Sequence, residues 1–444
     1  MHQPLLLKSV RIVDTISGEV REPLDMLVSE TDIQEICQSI ERDASSVHEI
    51  DCHGKFIIPG LFDCHTHLAV LTRQPLEVQK EIYDECELRE PFHEDKLDEQ
   101  VLSDFVRRGV MQVRDMGGPI DTLTGMRERA SQHQSAGPDI FFAGPMLEMP
   151  PLRGAQMNEH WPGWTVAVTS SADAEERVKS LQRAGVTMLK VFGRFETAVL
   201  DSLVRCARQF DLPVTCDPGP TFFHDISVDI GIDLGIRCFE HAKSLWYTVL
   251  RDNLRNEHDD LRGASPDVQK EFVQRLFDMG PESISTSKLR ELAETMHETG
   301  TLLCPTLHIF KFYSEKPHVF SDAEPEKFGP IFAKLFEIGC LIVSELAKYE
   351  VRMLVGQDGY IPRFTHGEMV LLSQNGLSSM EVLKGATLYP AEWLGIADKY
   401  GSIAAGKKAN LVVLERNPIE DIRNAQSVHV VIRDGVVAFR SDQT

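Results

Sequence analysis

The chain has 444 residues, of which 42% are hydrophobic and 26% charged, with a formal net charge of −22. That length exceeds one ordinary core and calls for a large barrel with an accessory domain, or for two domains. The composition is that of a folded globular protein, and the acidic balance argues against nucleic-acid and anionic-membrane partners, whose phosphates would be repelled.

The first residues, MHQPLLLKSVRIVD, lack the basic n-region and the long apolar run of a signal peptide. No stretch approaches the ~18 apolar residues of a membrane span. The nine cysteines (Cys37, Cys52, Cys64, Cys86, Cys206, Cys216, Cys238, Cys304 and Cys340) are an odd, scattered set without a CxxC pair. This pattern fits reduced thiols and a cytoplasmic location.

Residues 5–57 read as short strands, with Leu5–Val13, Asp25–Val28 and Lys55–Ile58 the clearest. The C-terminal runs Ala409–Leu414 and Val428–Val437 have the same grammar, so the two termini are expected to pair into one small β-sandwich domain. Between them, helical stretches precede apolar strand-like runs. Glu99–Arg108 leads to Val110–Asp115, Ala174–Ala184 to Val186–Val191, Thr197–Gln209 to Leu212–Cys216, and Gly329–Tyr349 to Arg352–Gly356. Repeated β-α units imply a parallel sheet, and over this length a (β/α)8 TIM-type barrel is the natural closure. The expected division is 1–58 and 399–444 for the composite β-domain and 59–398 for the α/β barrel. The charged, helical stretch 251–298 reads as an elaborated loop.

The strongest local signal is Ile58-Pro59-Gly60-Leu61-Phe62-Asp63-Cys64-His65-Thr66-His67. On a strand, residues two apart share a face, so His65 and His67 would present two imidazoles together at a strand end, an arrangement suited to a zinc-like cation. Barrel chemistry collects at the C-terminal ends of the strands, and four further strand ends carry ligand-type residues. Lys190 reads as an ion-paired structural lysine or, beside a metal, as a carboxylated lysine bridging two cations. His241 ends Arg237–His241 and reads as a core histidine or a ligand. Asp358 shares a face with Leu354 and Gly356 if the segment is a strand, and there it could ligate metal and move a proton; alternatively it is a turn residue before Gly359. Asp217, ahead of Pro218-Gly219, has the same two readings.

Taken in order, these positions resemble the amidohydrolase superfamily of metal-dependent hydrolases, in the branch containing prolidase-like and imidazolonepropionase-like proteins. PGLFDCHTH is similar to that family's strand-1 metal motif and Gly109–Gly118 to its strand-2 segment. Lys190 falls where prolidase-like members carry a carboxylated lysine, Glu240-His241 where they carry the strand-6 histidine, and Asp358 where they carry the strand-8 aspartate. His366–Met369, Lys384–Ala391 and Gly401–Val412 resemble the segments that follow, so the likeness runs over essentially the whole chain. The resemblance implies one or two divalent ions per chain, zinc foremost, held by His65, His67, Lys190, Asp217, His241 and Asp358. It also implies a homo-oligomer.

One position departs from the family. Asp217 stands where a histidine usually helps hold the second metal. Three readings follow: Asp217 ligates directly, His224 swings in to supply the imidazole, or the site holds one ion through His65, His67 and Asp358.

The chemistry implied is hydrolysis of an amide bond in a small substrate, a dipeptide or N-acyl amino acid, by metal-activated water with Asp358 as general base and acid. His160 falls near the branch's strand-3 loop histidine and is a second catalytic candidate. Tyr247, Arg194, His308 and His224 are the candidate substrate contacts, with Phe192, Trp246 and Phe310 as apolar walls. The alternatives are hydrolysis of a cyclic amide, lactone or carbamate, and a non-catalytic small-molecule-binding barrel with an altered metal site.

Overall fold

The computed structural model describes residues 3–72, 74–88, 91–93, 96–132, 137–152, 154–218, 227–320 and 324–441. Sequence-distant segments meet in one nine-stranded sheet. Its main order is Val436–Arg440, Val428–Arg433, Leu411–Leu414, Phe56–Pro59, Leu5–Asp14, Leu24–Ser29 and Asp32–Cys37, with Glu19–Val20 and His48–Asp51 added along Leu5–Asp14. The join between the two ends of the chain is antiparallel, with Leu411 opposite Pro59 and Leu414 opposite Phe56. Alternating Leu7, Val10, Ile12, Val28, Ile57 and Ile432 fill its core, as one-sided burial of an alternating strand requires.

This sheet positions the site because Phe56–Pro59 runs through Gly60 directly into the strand Leu61–Thr66. At Gly60 the backbone N–H donates to Asn410 O at 2.7 Å, and a Cβ would meet Met111 at 3.1 Å. A larger residue would push apart the two strands that begin the site.

The rest is α/β with parallel sheets. One has three strands, Leu61–Thr66, Val110–Asp115 and Asp139–Phe142. The other has six, in the order Thr165–Ala167, Met146–Glu148, Leu189–Phe192, Val214–Asp217, Cys238–Glu240 and Leu302–Cys304. Helices pack outside them. Thr197–Arg208, for example, buries Leu200, Leu203, Val204 and Ala207 and exposes Arg205, the one-sided stripe of a helix docked on a sheet.

The run 352–356 differs from the strand read in the sequence. It is extended, but the segment 352–359 holds only isolated bridges, Leu303 to Met353 on one side and Thr66 to Gly359 on the other. Leu354 N donates to Leu303 O (2.8 Å) and Cys64 N to Val355 O (2.7 Å). Past Gln357 the period of two ends, because Asp358 adopts φ 57°. Its side chain is therefore aimed by a left-handed turn and not by strand alternation. Among the described residues no helix is long and apolar enough to cross a membrane. All nine cysteines are free.

Candidate metal centre

His65 and His67 lie at the end of Leu61–Thr66, where the register against Val110–Asp115 shifts between Asp63 and Thr66. Their rings are 5.2 Å apart. Asp63 anchors this bend from beneath: its carboxylate accepts His65 N (3.1 Å), Gln357 Nε2 (2.8 Å) and Thr365 Oγ1 (2.6 Å). Asp115, at the neighbouring strand end, accepts Leu68 N (2.6 Å) and Gly117 N (3.2 Å) and so fixes the chain just past His67.

Asp358 completes the cluster. Its Oδ1 is 3.3 Å from both His65 Nε2 and His67 Nε2, and its Oδ2 is 3.7 Å from His241 Nδ1. Burial works to raise the Asp358 carboxyl, but the imidazoles of His241 and His65 outweigh it and hold the group well below the usual carboxylate range. It stays an anion facing three histidines.

His65 is fully buried. Its Nδ1 lies 2.7 Å from Glu240 Oε2, and Glu240 is held in turn by Arg114 Nη2 (2.7 Å) and Thr215 Oγ1 (2.6 Å) on its other oxygen. An ionised carboxylate only accepts, so Nδ1 carries the hydrogen and Nε2 offers its lone pair toward Asp358. Burial, and then the Lys190 ammonium 3.4 Å from Nε2, push the His65 imidazolium down to about 3. His65 is a neutral ligand-type nitrogen at any ordinary pH.

Across the rim, His241 Nε2 is 3.2 Å from Asp217 Oδ2 and its Nδ1 is 2.7 Å from Thr306 Oγ1. Ser244 Oγ donates to Asp217 Oδ1 at 2.9 Å. Burial works to raise Asp217; Lys243 first, then His241, overcome it and keep the group well below its usual range. His241 (φ 66°), Thr306 (φ 52°) and Asp358 (φ 57°) all adopt left-handed backbone. Such conformations cost energy outside glycine, and three of them gather at this rim.

His67, His241 and Asp358 face a cavity of ≈ 470 Å³ walled by Trp164, Phe192, Phe310 and Phe332, with Lys190, Lys243 and Asp217 on its polar side. Trp164 stacks on His67 with ring centroids 5.6 Å apart. The donors suit a divalent cation: His65, His241 and Asp358 offer ligand atoms within 4.8 Å of one another, and neutral imidazoles with a carboxylate are a zinc-type set.

Other expected contacts are placed elsewhere. The Tyr247 hydroxyl is committed to Asp259 Oδ1 (3.2 Å) and Arg262 Nη2 (3.0 Å), and its ring is covered by Arg255, because 251–298 folds back as three helices over this strand end. His308 packs on Phe364 at 4.3 Å, turned into the helix layer, and burial pushes it down to about 4. Arg194 is exposed and does not line the cavity. His160 is exposed at the end of the short helix Ala155–His160, with its ring on Trp161. Trp246 is buried, its Nε1 donating to Ser283 Oγ (2.7 Å). His224 lies outside the described residues.

Sequence reasoning passed over Glu240 as a partner, together with Arg114, Thr215, Lys243 and Trp164. Arg114 carried a signal, being a lone cation within the run Val110–Asp115. Glu240 carried one too, since it stands an even step from Cys238 on the interior face.

Comparison with known proteins bears on this geometry. The amidohydrolase family model matches residues 334–438. An imidazolonepropionase of Thermoplasma acidophilum is 24% identical over 208 residues, covering 43% of this chain and 49% of that protein. One from Vibrio cholerae serotype O1 is 44% identical over 67 residues, 14% of this chain and 16% of that protein. These matches place the amidohydrolase likeness in residues 334–438 and in the stretches shared with the imidazolonepropionases. The chain spans about half the length of the Thermoplasma imidazolonepropionase and a smaller part of the Vibrio one. Its fold is similar to a Xaa-Pro dipeptidase with methionine bound in the active site (TM-score 0.72, 19% identity, 99% of this chain and 100% of that one). It is also similar to molinate hydrolase (TM-score 0.70, 17% identity, 98% and 94%).

Proposed function

We propose that this chain is a metal-dependent hydrolase of the amidohydrolase superfamily that cleaves an amide bond of a small substrate, with Asp358 as the proton-transfer group. The observation that carries the reading is the convergence of His65 Nε2 and His67 Nε2 on one oxygen of Asp358, each at 3.3 Å. His65, His67 and Asp358 would hold a divalent ion, zinc foremost, with His241, Asp217 and Lys190 around it. The chemistry such a cation would supply, when held by these residues, is polarisation of the scissile carbonyl and a lowering of the pKa of water toward ~7.

The chain's own residues supply the rest. Asp358 accepts the proton of the attacking water and returns it to the departing nitrogen. Glu240 holds the His65 tautomer. The aromatic wall of Trp164, Phe310 and Phe332 seats an apolar part of the substrate and excludes water. Lys190, if carboxylated, would become a further anionic ligand.

Both an open-chain amide (a dipeptide or N-acyl amino acid) and a cyclic amide fit the site's chemistry. Relatives named imidazolonepropionase and dihydroorotase match by sequence, and a dipeptidase matches by fold. We read the two parallel sheets as arcs of one (β/α)8 barrel spanning 59–398, with 1–58 and 399–444 as the composite β-domain. Supporting this are the hydrogen bond from Thr187 N to Phe142 O (3.0 Å), which links the sheets on one side, and the Leu303–Met353 and Thr66–Gly359 bridges on the other. Free, mostly buried cysteines fit a cytoplasmic setting. A screen of dipeptides, N-acyl amino acids and cyclic amides, run with metal-replete and chelated protein, tests the activity. Turnover of one class that chelation abolishes supports the reading; no turnover of any class by the metal-replete protein counts against it.

A further inference from the structure

The cavity rim is electrostatically two-sided. On one side Asp358 faces His65 and His67. On the other, Asp217 faces His241 and the short helix Ala242–Leu245, which brings Lys243 and Ser244 to the rim one after the other. Lys243 Nζ lies 5.8 Å from the centroid of Phe310, and that ring is 6.2 Å from the His241 ring, so the ammonium stands over the same wall of the cavity as the histidine.

The polar atoms of Asp217 and His241 are engaged. Asp217 Oδ2 contacts His241 Nε2 (3.2 Å), Asp217 Oδ1 accepts from Ser244 (2.9 Å), and His241 Nδ1 meets Thr306 Oγ1 (2.7 Å). A buried carboxylate requires a counter-charge. Here the chain supplies one two residues after His241, where Lys243 lines the same cavity as Asp217.

We propose that Lys243 takes the place of a second divalent cation: its positive charge lines the same cavity as the Asp217–His241 pair, and the chain binds a single metal ion, at His65, His67 and Asp358. This rests on the reading of the rim as a metal centre, and adds that the centre is mononuclear by construction. A second divalent ion at Asp217 and His241 would share the cavity with the Lys243 ammonium and would have to break the Asp217–His241 contact.

The test is calorimetric titration of the chelator-stripped, full-length protein with Zn²⁺, in buffer containing bicarbonate so that a Lys190 carbamate is free to form. Wild type is expected to bind one equivalent. Lys243→Met removes that positive charge and is expected to show a second equivalent, at least ~10-fold weaker than the first, whereas Lys243→Arg keeps the charge and binds one. Two equivalents in wild type, or one in a folded Lys243→Met protein, overturns the proposal while leaving the metal-centre reading intact. No binding by wild type overturns both. The wild-type stoichiometry remains decisive if Lys243→Met does not fold, and Lys243→Gln then serves as the second variant.

Discussion

Glu240 Oε2 lies 2.7 Å from His65 Nδ1 in a fully buried contact. With Nδ1 so engaged, His65 can present only Nε2 to Asp358, which makes the pair a device for fixing tautomer and ring direction together. Arg114 and Thr215 hold the other Glu240 oxygen, so the carboxylate stays charged where burial alone would neutralise it.

Glu240→Gln keeps the shape and removes the charge. The variant is expected to fold and to bind Zn²⁺ about 10–100-fold more weakly, the usual cost of losing such a partner. Competition against a chromophoric chelator measures it. An unchanged affinity would mean that His65 is oriented by packing alone.

Asp358→Asn removes the proposed proton carrier while leaving an oxygen in the same position. The kcat on whichever amide the screen identifies should fall by roughly 10²–10⁴-fold, the range for losing a general acid–base group. Circular dichroism and thermal melting should show a folded protein. A variant retaining more than about a tenth of wild-type kcat would assign the proton transfer elsewhere.

The pair His65/His67 was legible because the signal is local, two histidines one residue apart at the end of an apolar run. The α/β character with parallel strands was legible for a similar reason, since helix and strand periods alternate along the chain. Glu240 was harder to assign, because its partners Arg114 and His65 are 126 and 175 residues away in sequence and only the folded sheet brings them together. Asp358 was reached by strand alternation, although the structure aims it through a positive φ, which sequence periodicity does not encode. Tyr247 and His308 were misjudged because their directions depend on how 251–298 and the helix Leu307–Glu315 pack, and spacing from His241 or Cys304 carries no information about that.

Burial of Glu368 has a consequence for pH. Its oxygens accept Leu307 N (3.0 Å) and His308 N (2.7 Å) at the start of a helix, yet burial pushes its carboxyl up to about 8. The unfolded chain loses that proton near ~4.3, so the folded state binds more protons between there and about pH 8 and stability falls as pH rises across that window. His366, pushed down to about 4 by burial, has the opposite sign: its contribution is lost as pH falls from ~6.5 toward 4. Of these two groups, only Glu368 contributes a slope above ~6.5. The gap in Tm between Glu368→Gln and wild type should therefore shift in favour of the variant from pH 6.5 to 8. A constant gap over that range would show that Glu368 is ionised in the folded state.

Gly356 lies where the extended 352–356 run passes the metal strand. A Cβ there would come within 2.6 Å of Cys304 Sγ and 2.8 Å of His65 Cβ and N, and the latter contact is with backbone, which cannot swing aside. Gly356→Ala is expected to cost about 1–3 kcal/mol, typical of overpacking, read as a lower denaturation midpoint. Because the strain falls on His65 itself, Zn²⁺ affinity should drop in parallel. A stable variant with intact metal binding would mean that the two runs lie farther apart than the structure places them.

The central claim is that His65, His67 and Asp358 form a metal centre, and the most direct measurement is an anomalous-difference map from crystals of Zn²⁺-loaded protein at the zinc edge. The account predicts one strong peak within coordination distance of His65 Nε2, His67 Nε2 and an Asp358 oxygen. A map with no peak at these three residues, in protein shown to be zinc-replete, would contradict it.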